Sequence, residues 1–335
     1  MRRDAGAQAA RQPEPSSPAT GREGRQDIFI ILVPLDGSER AAGALPFAED
    51  ICQRLGGEIA LIRIPPTTGL RYALAPDYIP ANVYQQMVDE QRRVAREYLE
   101  HVATEMRQRG LRVQAYLKHG EPAMAIIEAI PALRVSMVVM TTHGRTGLGR
   151  FALGSVADRV VREGGAPVLL VRSFPGETQR AEPRRALVPL DGSPLAEATL
   201  FTVALRLAGA VLREITLVRV VDPRASREGV TVADEYLDQA RRRFAERLNG
   251  REVAITTRTE VGAPAAGILA AARARASDVI VMSTHGEAGV GRMAFGSVTD
   301  RLLHDSDMPL LLVRPAAGVV GAGERQDLAG GPERR

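Results

Sequence analysis

A seventeen-residue segment occurs twice in this chain. His143-Gly144-Arg145-Thr146-Gly147-Leu148-Gly149-Arg150-Phe151-Ala152-Leu153-Gly154-Ser155-Val156-Ala157-Asp158-Arg159 returns as His285-Gly286-Glu287-Ala288-Gly289-Val290-Gly291-Arg292-Met293-Ala294-Phe295-Gly296-Ser297-Val298-Thr299-Asp300-Arg301. The offset is 142 residues (285 − 143). Glycines kept in register mark backbone that turns tightly or approaches something closely. Gly-Ser before an apolar helical pattern marks a helix N-terminus, where exposed amides attract anions. The chain therefore reads as two copies of one domain, each with a candidate phosphate cradle.

The length of 335 residues fits two domains, each able to bury its own core. The sequence predicts a disordered tail over 1–25, a first domain over 26–174, a linker over 175–184, a second domain over 185–315 and a disordered tail over 316–335. Cys52 is the single cysteine, so a disulfide framework is excluded and a reducing compartment fits. Five scattered histidines give no metal-ligand spacing. The longest apolar run, 28–33, is too short to span a bilayer, and no signal-peptide core is visible. These features place the protein in the cytoplasm. The net charge of +4 is nearly all arginine, with no arginine cluster interleaved with aromatics. Neither nucleic acid nor membrane is expected as a partner.

Apolar strands alternate with helical patterns in both halves. The first half predicts strands at 28–33, 58–64, 112–117, 135–140 and 167–172. Helices are predicted from Ser38 to about Leu55, over 81–109 with Val83, Met87, Val94, Tyr98, Val102 and Met106 at helical spacing, over 123–132, and from Ser155. The second half predicts strands at 186–188, 214–221, 253–260, 279–282 and 309–314, with Ser193-Pro194 opening its first helix. The expected fold class is α/β: two tandem open-twisted five-stranded parallel sheets with helices on both faces. The first half carries 13 extra residues (155 − 142, from the Asp36/Asp191 and Gly144/Gly286 offsets), placed mostly over 65–80. They form a lid, a dimerisation arm or an idle insertion.

In open α/β sheets, ligands bind outside the carboxyl ends of the strands, where strand order reverses. Three pieces of each repeat fall there: Pro34-Leu35-Asp36 and Pro189-Leu190-Asp191; Ile64 and Val220; and the glycine segment. An acid near a sugar or base, an apolar side chain against the base and glycine amides on phosphate suit a nucleotide. The plainer alternative is that Asp36 and Asp191 are turn formers. Gly147-x-Gly149-x-x-Ala152 and Gly289-x-Gly291-x-x-Ala294 match a loose dinucleotide fingerprint, but they follow the fourth strand instead of the first. A Walker loop needs a lysine after its last glycine, and Lys118 is the only lysine. No Gly-x-Ser-x-Gly elbow occurs. Nothing specifies catalysis.

These residues carry a resemblance. From about Gln26 to Pro315 the chain resembles a tandem universal stress protein. The nucleotide-binding branch of that family has a Gly-x2-Gly-x9-Gly-Ser/Thr signature. It reads Thr141-x2-Gly144-x9-Gly154-Ser155 and Ser283-x2-Gly286-x9-Gly296-Ser297 here. The spacing is kept, and the first glycine is replaced by a hydroxyl residue that either bonds the ligand or narrows the site. The resemblance implies a Rossmann-like fold of the adenine nucleotide α-hydrolase type. It implies that Asp36 and Asp191, with Pro34, Leu35, Pro189 and Leu190 beside them, meet the adenosine end. Ile64, Val220, Met140 and Met282 would pack near the base. Gly144, Gly154, Ser155 and Val156, with Gly286, Gly296, Ser297 and Val298, would hold the phosphates. Gly154 and Gly296 would need unusual backbone angles, and Ser155 and Ser297 would be N-caps. His143 and His285, in the same turn, are structural or catalytic.

The function implied is a stress-response regulatory module binding ATP, or AMP or ADP, with magnesium alongside, and at most slow ATP hydrolysis. A non-nucleotide structural or partner-binding module and a slow ATP hydrolase are the alternatives. Single-domain relatives commonly dimerise, so an internal pseudo-dimer through the fifth strands is expected, and a homodimer of whole chains stays open.

Overall fold

The computed structural model describes residues 28–65, 81–142, 153–172, 182–284 and 295–314. In the first half the order is β1 (Ile30–Pro34), α1 (Glu39–Ala42), α2 (Leu45–Leu55), β2 (Glu58–Arg63), α3 (Ala81–Gln108), β3 (Val113–Leu117), α4 (Pro122–Ala132), β4 (Met137–Thr141), α5 (Ser155–Glu163) and β5 (Val168–Val171). The second half follows with β6 (Arg185–Pro189), α6 (Pro194–Leu207), β7 (Glu214–Val221), α7 (Arg227–Arg247), β8 (Ala254–Val261), α8 (Pro264–Ala274), β9 (Val279–Ser283), α9 (Ser297–Asp305) and β10 (Leu310–Val313). The extra segment of the first half, 66–80, lies outside the described residues, as do the two tails.

All ten strands form one sheet in the order β3-β2-β1-β4-β5-β10-β9-β6-β7-β8. Within each half the pairs are parallel; β1 lies between β2 and β4, and β6 between β7 and β9. The central strands are mostly apolar because helices cover both of their faces. At the middle, β5 and β10 pair antiparallel, with Leu170 opposite Leu310, Leu169 opposite Leu311 and Val168 opposite Leu312. The reversal at that pair relates the halves by an approximate two-fold, the relation of an isologous dimer built inside one chain. Four apolar residues on each strand would make an exposed edge prone to association, and the pairing removes both edges.

Alternation along the strands sends side chains into two cores, one on each face, and each core runs across both halves. Ile31 and Val33, with α2, α3, α6 and α7, build the first. Leu32, Ile62 and Met140, with α4, α5, α8 and α9, build the second. Other contacts tie the halves at the opposite end: Arg184 pairs with Asp50 at 2.5 Å, and the Arg206 guanidinium lies 4.9 Å from the centre of the Phe29 ring.

Two local expectations need correction. The helix expected from Ser38 to Leu55 is two helices, α1 and α2. Pro46 lacks the N–H that a continuous helix would donate to Ala42, so the chain restarts at Leu45. Along α3, Val102 and Met106 are buried, whereas Val83, Met87 and Val94 stay 39%, 36% and 46% exposed. A helix of 28 residues is about 42 Å long and outruns the five-residue strand β3 beside it.

Candidate functional site at the strand-order reversals

The chain leaves β1 and β6 by the same turn. The Leu35 amide donates to Ile62 and the Leu190 amide to Val218, each at 2.8 Å, which extends the ladder one residue past the strand. Both leucine side chains are buried in the first core. Asp36 Oδ1 then accepts from the Ser38 amide at 2.9 Å and the Ser38 hydroxyl at 2.6 Å. Asp191 Oδ1 accepts from the Ser193 amide at 2.9 Å. Both aspartates are therefore turn formers, and both stand where the strand order reverses, between β1 and β4 or β6 and β9.

Gly37 and Gly192 make these turns possible, with φ of +86° and +96°. Space is the second constraint at Gly37: an added Cβ would sit 2.6 Å from Arg63 Nη2. That guanidinium is buried and lies 4.7 Å from the centre of the Tyr98 ring on α3. The second half repeats the arrangement, with Arg219 4.7 Å from the Tyr236 ring centre. Burial pushes the Tyr98 hydroxyl above its ordinary pKa; Arg63 opposes the rise and Asp36 adds to it. Burial also raises Tyr236, reinforced by the hydrogen bond its hydroxyl donates to Glu197 at 2.8 Å. Sequence reasoning missed these four residues. The signal was present: an arginine inside each apolar second strand, 156 residues apart (219 − 63).

One residue further along the chain, Ile64 and Val220 fall on the opposite face and pack against the second core. Met140 and Met282 are buried there, and Val156 and Val298 join from the first turns of α5 and α9. The structure thus gathers the apolar residues of each half on one face. Thr141 and Ser283 follow the methionines, so the pleat turns their side chains toward the other face, where both are buried.

The chain returns to the sheet after the glycine segment. The Gly154 amide donates to the Thr142 carbonyl at 2.7 Å and the Gly296 amide to the Thr284 carbonyl at 3.1 Å. These bonds set the N-termini of α5 and α9 against the ends of β4 and β9. Two expectations are corrected here. Gly154 and Gly296 adopt ordinary extended angles, with φ of −62° and −59°. They occupy the N-cap positions themselves, because an N-cap is extended and needs no left-handed backbone. Ser155 and Ser297 are the first helical residues, exposed, and the glycine caps carry no side chain to hold either helix. The first-turn amides point outward with the positive end of the helix dipole. Gly144, Gly286, His143 and His285 lie outside the described residues.

The universal stress protein family model matches the chain twice, over 28–172 and 182–314. The chain belongs to the universal stress protein family. It is 28% identical over 314 residues to a universal stress protein of Mycolicibacterium smegmatis, covering 86% of this chain and 97% of that one. A universal stress protein of Methanocaldococcus jannaschii is 30% identical over 155 residues, 45% of this chain and 86% of its own. The crystal structure of a universal stress protein from Archaeoglobus fulgidus superposes with a TM-score of 0.66 over 86% of this chain and 98% of that one, at 22% identity, which shows the shared α/β fold. Among the described residues no helix is long and apolar enough to cross a membrane.

Proposed function

We propose that this universal stress protein binds adenine nucleotide, ATP or its AMP and ADP relatives, in each half and acts as a regulatory module of the cytoplasm. The supporting observation is the repeated constellation at the two strand-order reversals. Each half brings an aspartate turn, an aliphatic residue and a methionine on one face, and a helix N-terminus whose cap carries no side chain. Asp36 and Asp191 serve the sugar end in this reading. Ile64, Met140 and Val156, and Val220, Met282 and Val298, enclose the base and the path to the phosphates. The amides after Gly154 and Gly296, with the Ser155 and Ser297 hydroxyls, receive the phosphates.

The replacement of the first motif glycine does not count against this reading. The pleat directs the Thr141 and Ser283 side chains away from the apolar face. Among the described residues no three His, Cys, Asp or Glu side chains converge to cage a metal, and in this reading magnesium would travel with the phosphates. The test is mass spectrometry of small molecules released by denaturing freshly purified protein. Adenine nucleotide approaching two per chain supports the reading. Protein that releases none, and takes up none at millimolar ATP, refutes it.

A further inference from the structure

Arg162, on α5 of the first half, reaches across the seam. Its guanidinium lies over the Phe295 ring of the second half, 4.1 Å from the centroid. The same group is held by Asp158, whose two carboxylate oxygens are each 2.9 Å from Nε. Asp158 belongs to the first turn of α5, and Phe295 immediately precedes Gly296, the N-cap of α9. One side chain therefore joins the first turn of α5 to the residue just before the N-cap of α9. The repeat does not return the favour. At an offset of 142, Leu153 replaces Phe295 and His304 replaces Arg162. Leucine has no ring face, and His304 Nδ1 lies 2.8 Å from the Asp300 carbonyl of its own helix.

We propose that Arg162 is a positioning residue for the second half's cradle: it fixes Phe295, and through it the Gly296-Ser297 turn, so that the second half holds nucleotide more tightly than the first. The inference rests on the reading that both halves bind adenine nucleotide. The physical cause is preorganisation. A turn already held in its binding geometry loses less freedom when the ligand arrives. A planar guanidinium stacks on an aromatic face, and an ammonium keeps the charge and the Asp158 pair but loses the stack.

Calorimetric titration of the full chain with ATP is the test, with Gly296→Val used to identify which class of site belongs to the second half. The expected wild-type result is two unequal classes, the tighter one removed by Gly296→Val. Phe295→Leu and Arg162→Lys should each weaken that class by about two- to fivefold, the range a partly exposed cation–π contact supports. The first-half class should not move, and the double variant should be no weaker than either single. Equal classes in the wild type overturn the inference. So do losses shared by both classes, losses that add in the double variant, or no change in either variant. Those outcomes leave nucleotide binding intact, whereas a wild-type chain without ATP binding defeats the underlying reading as well.

Discussion

The Arg172 guanidinium donates to the carbonyl of His304 at 2.7 Å, and to that of Leu303 at the same distance. It thereby closes the last turn of α9 from the other half of the chain. Its repeat equivalent, Arg314, donates to the carbonyl of Arg162 at the end of α5. Each half thus supplies a cation to the C-terminus of the other half's helix, where orphan carbonyls and the negative dipole end favour one. Arg172→Ala is expected to destabilise the chain by about 1–3 kcal/mol, the value of charge-assisted hydrogen bonds at a partly buried site. Urea unfolding measures it; a loss below about 0.5 kcal/mol would mean that the seam rests on the β5–β10 pairing and its core alone.

The two turn glycines make a sharper comparison. Alanine at either position must adopt a positive φ, which costs about 1–2 kcal/mol. At Gly37 the new Cβ also meets Arg63 Nη2 at 2.6 Å, whereas at Gly192 the nearest Arg219 atom is 3.5 Å away, an ordinary contact. Gly37→Ala should therefore be the more destabilising of the two. Adding Arg63→Ala should recover part of the difference in a double-mutant cycle, and equal losses with no coupling would contradict the geometry.

Much of the fold could be read from the sequence because a buried parallel strand writes an unmistakable pattern. Ile30–Val33 is apolar at every position and Ala186–Val188 repeats the pattern, and each run is followed by a proline and an aspartate turn. The Leu170 and Leu310 edges were legible for the same reason, since four apolar residues in an unpaired strand demand a partner. The candidate site could be proposed at Asp36, Ile64, Met140 and Gly154 because the repeat returns each residue or a close substitute in register. Two kinds of feature were not legible. The glycine at position 154 looks the same in sequence whether it serves as an extended N-cap or a left-handed turn. The contacts of Arg63 with Tyr98 and of Arg162 with Phe295 join elements far apart in the chain. Periodicity reports which face a residue occupies, not which side chain crosses to meet it.

The strand pleat gives a prediction for the departures from the family motif. Thr141 and Ser283 alternate away from the apolar face of each proposed site, so on that reading their hydroxyls would not meet a base bound there. Thr141→Gly with Ser283→Gly should leave ATP affinity within about twofold. A hydroxyl that bonded the ligand would show a loss of about 0.5–1.5 kcal/mol on removal. Isothermal titration of the double variant distinguishes the two, and a loss of that size would place the side chains at the ligand.

The central claim is that the N-termini of α5 and α9 receive nucleotide phosphates, and Gly154 and Gly296 give the most direct access to it. Both glycines have φ values that any residue adopts, and a Cβ at Gly296 would meet no atom closer than 3.7 Å. Valine at Gly296 should therefore be tolerated by the fold while its branched side chain stands in front of the first-turn amides, and at Gly154 the backbone angle permits the same change. Titration with ATP of the wild type, Gly154→Val, Gly296→Val and the double variant, each checked for native circular dichroism, is the decisive measurement. The account predicts two sites, one, one and none; unchanged affinity in a folded double variant would contradict it.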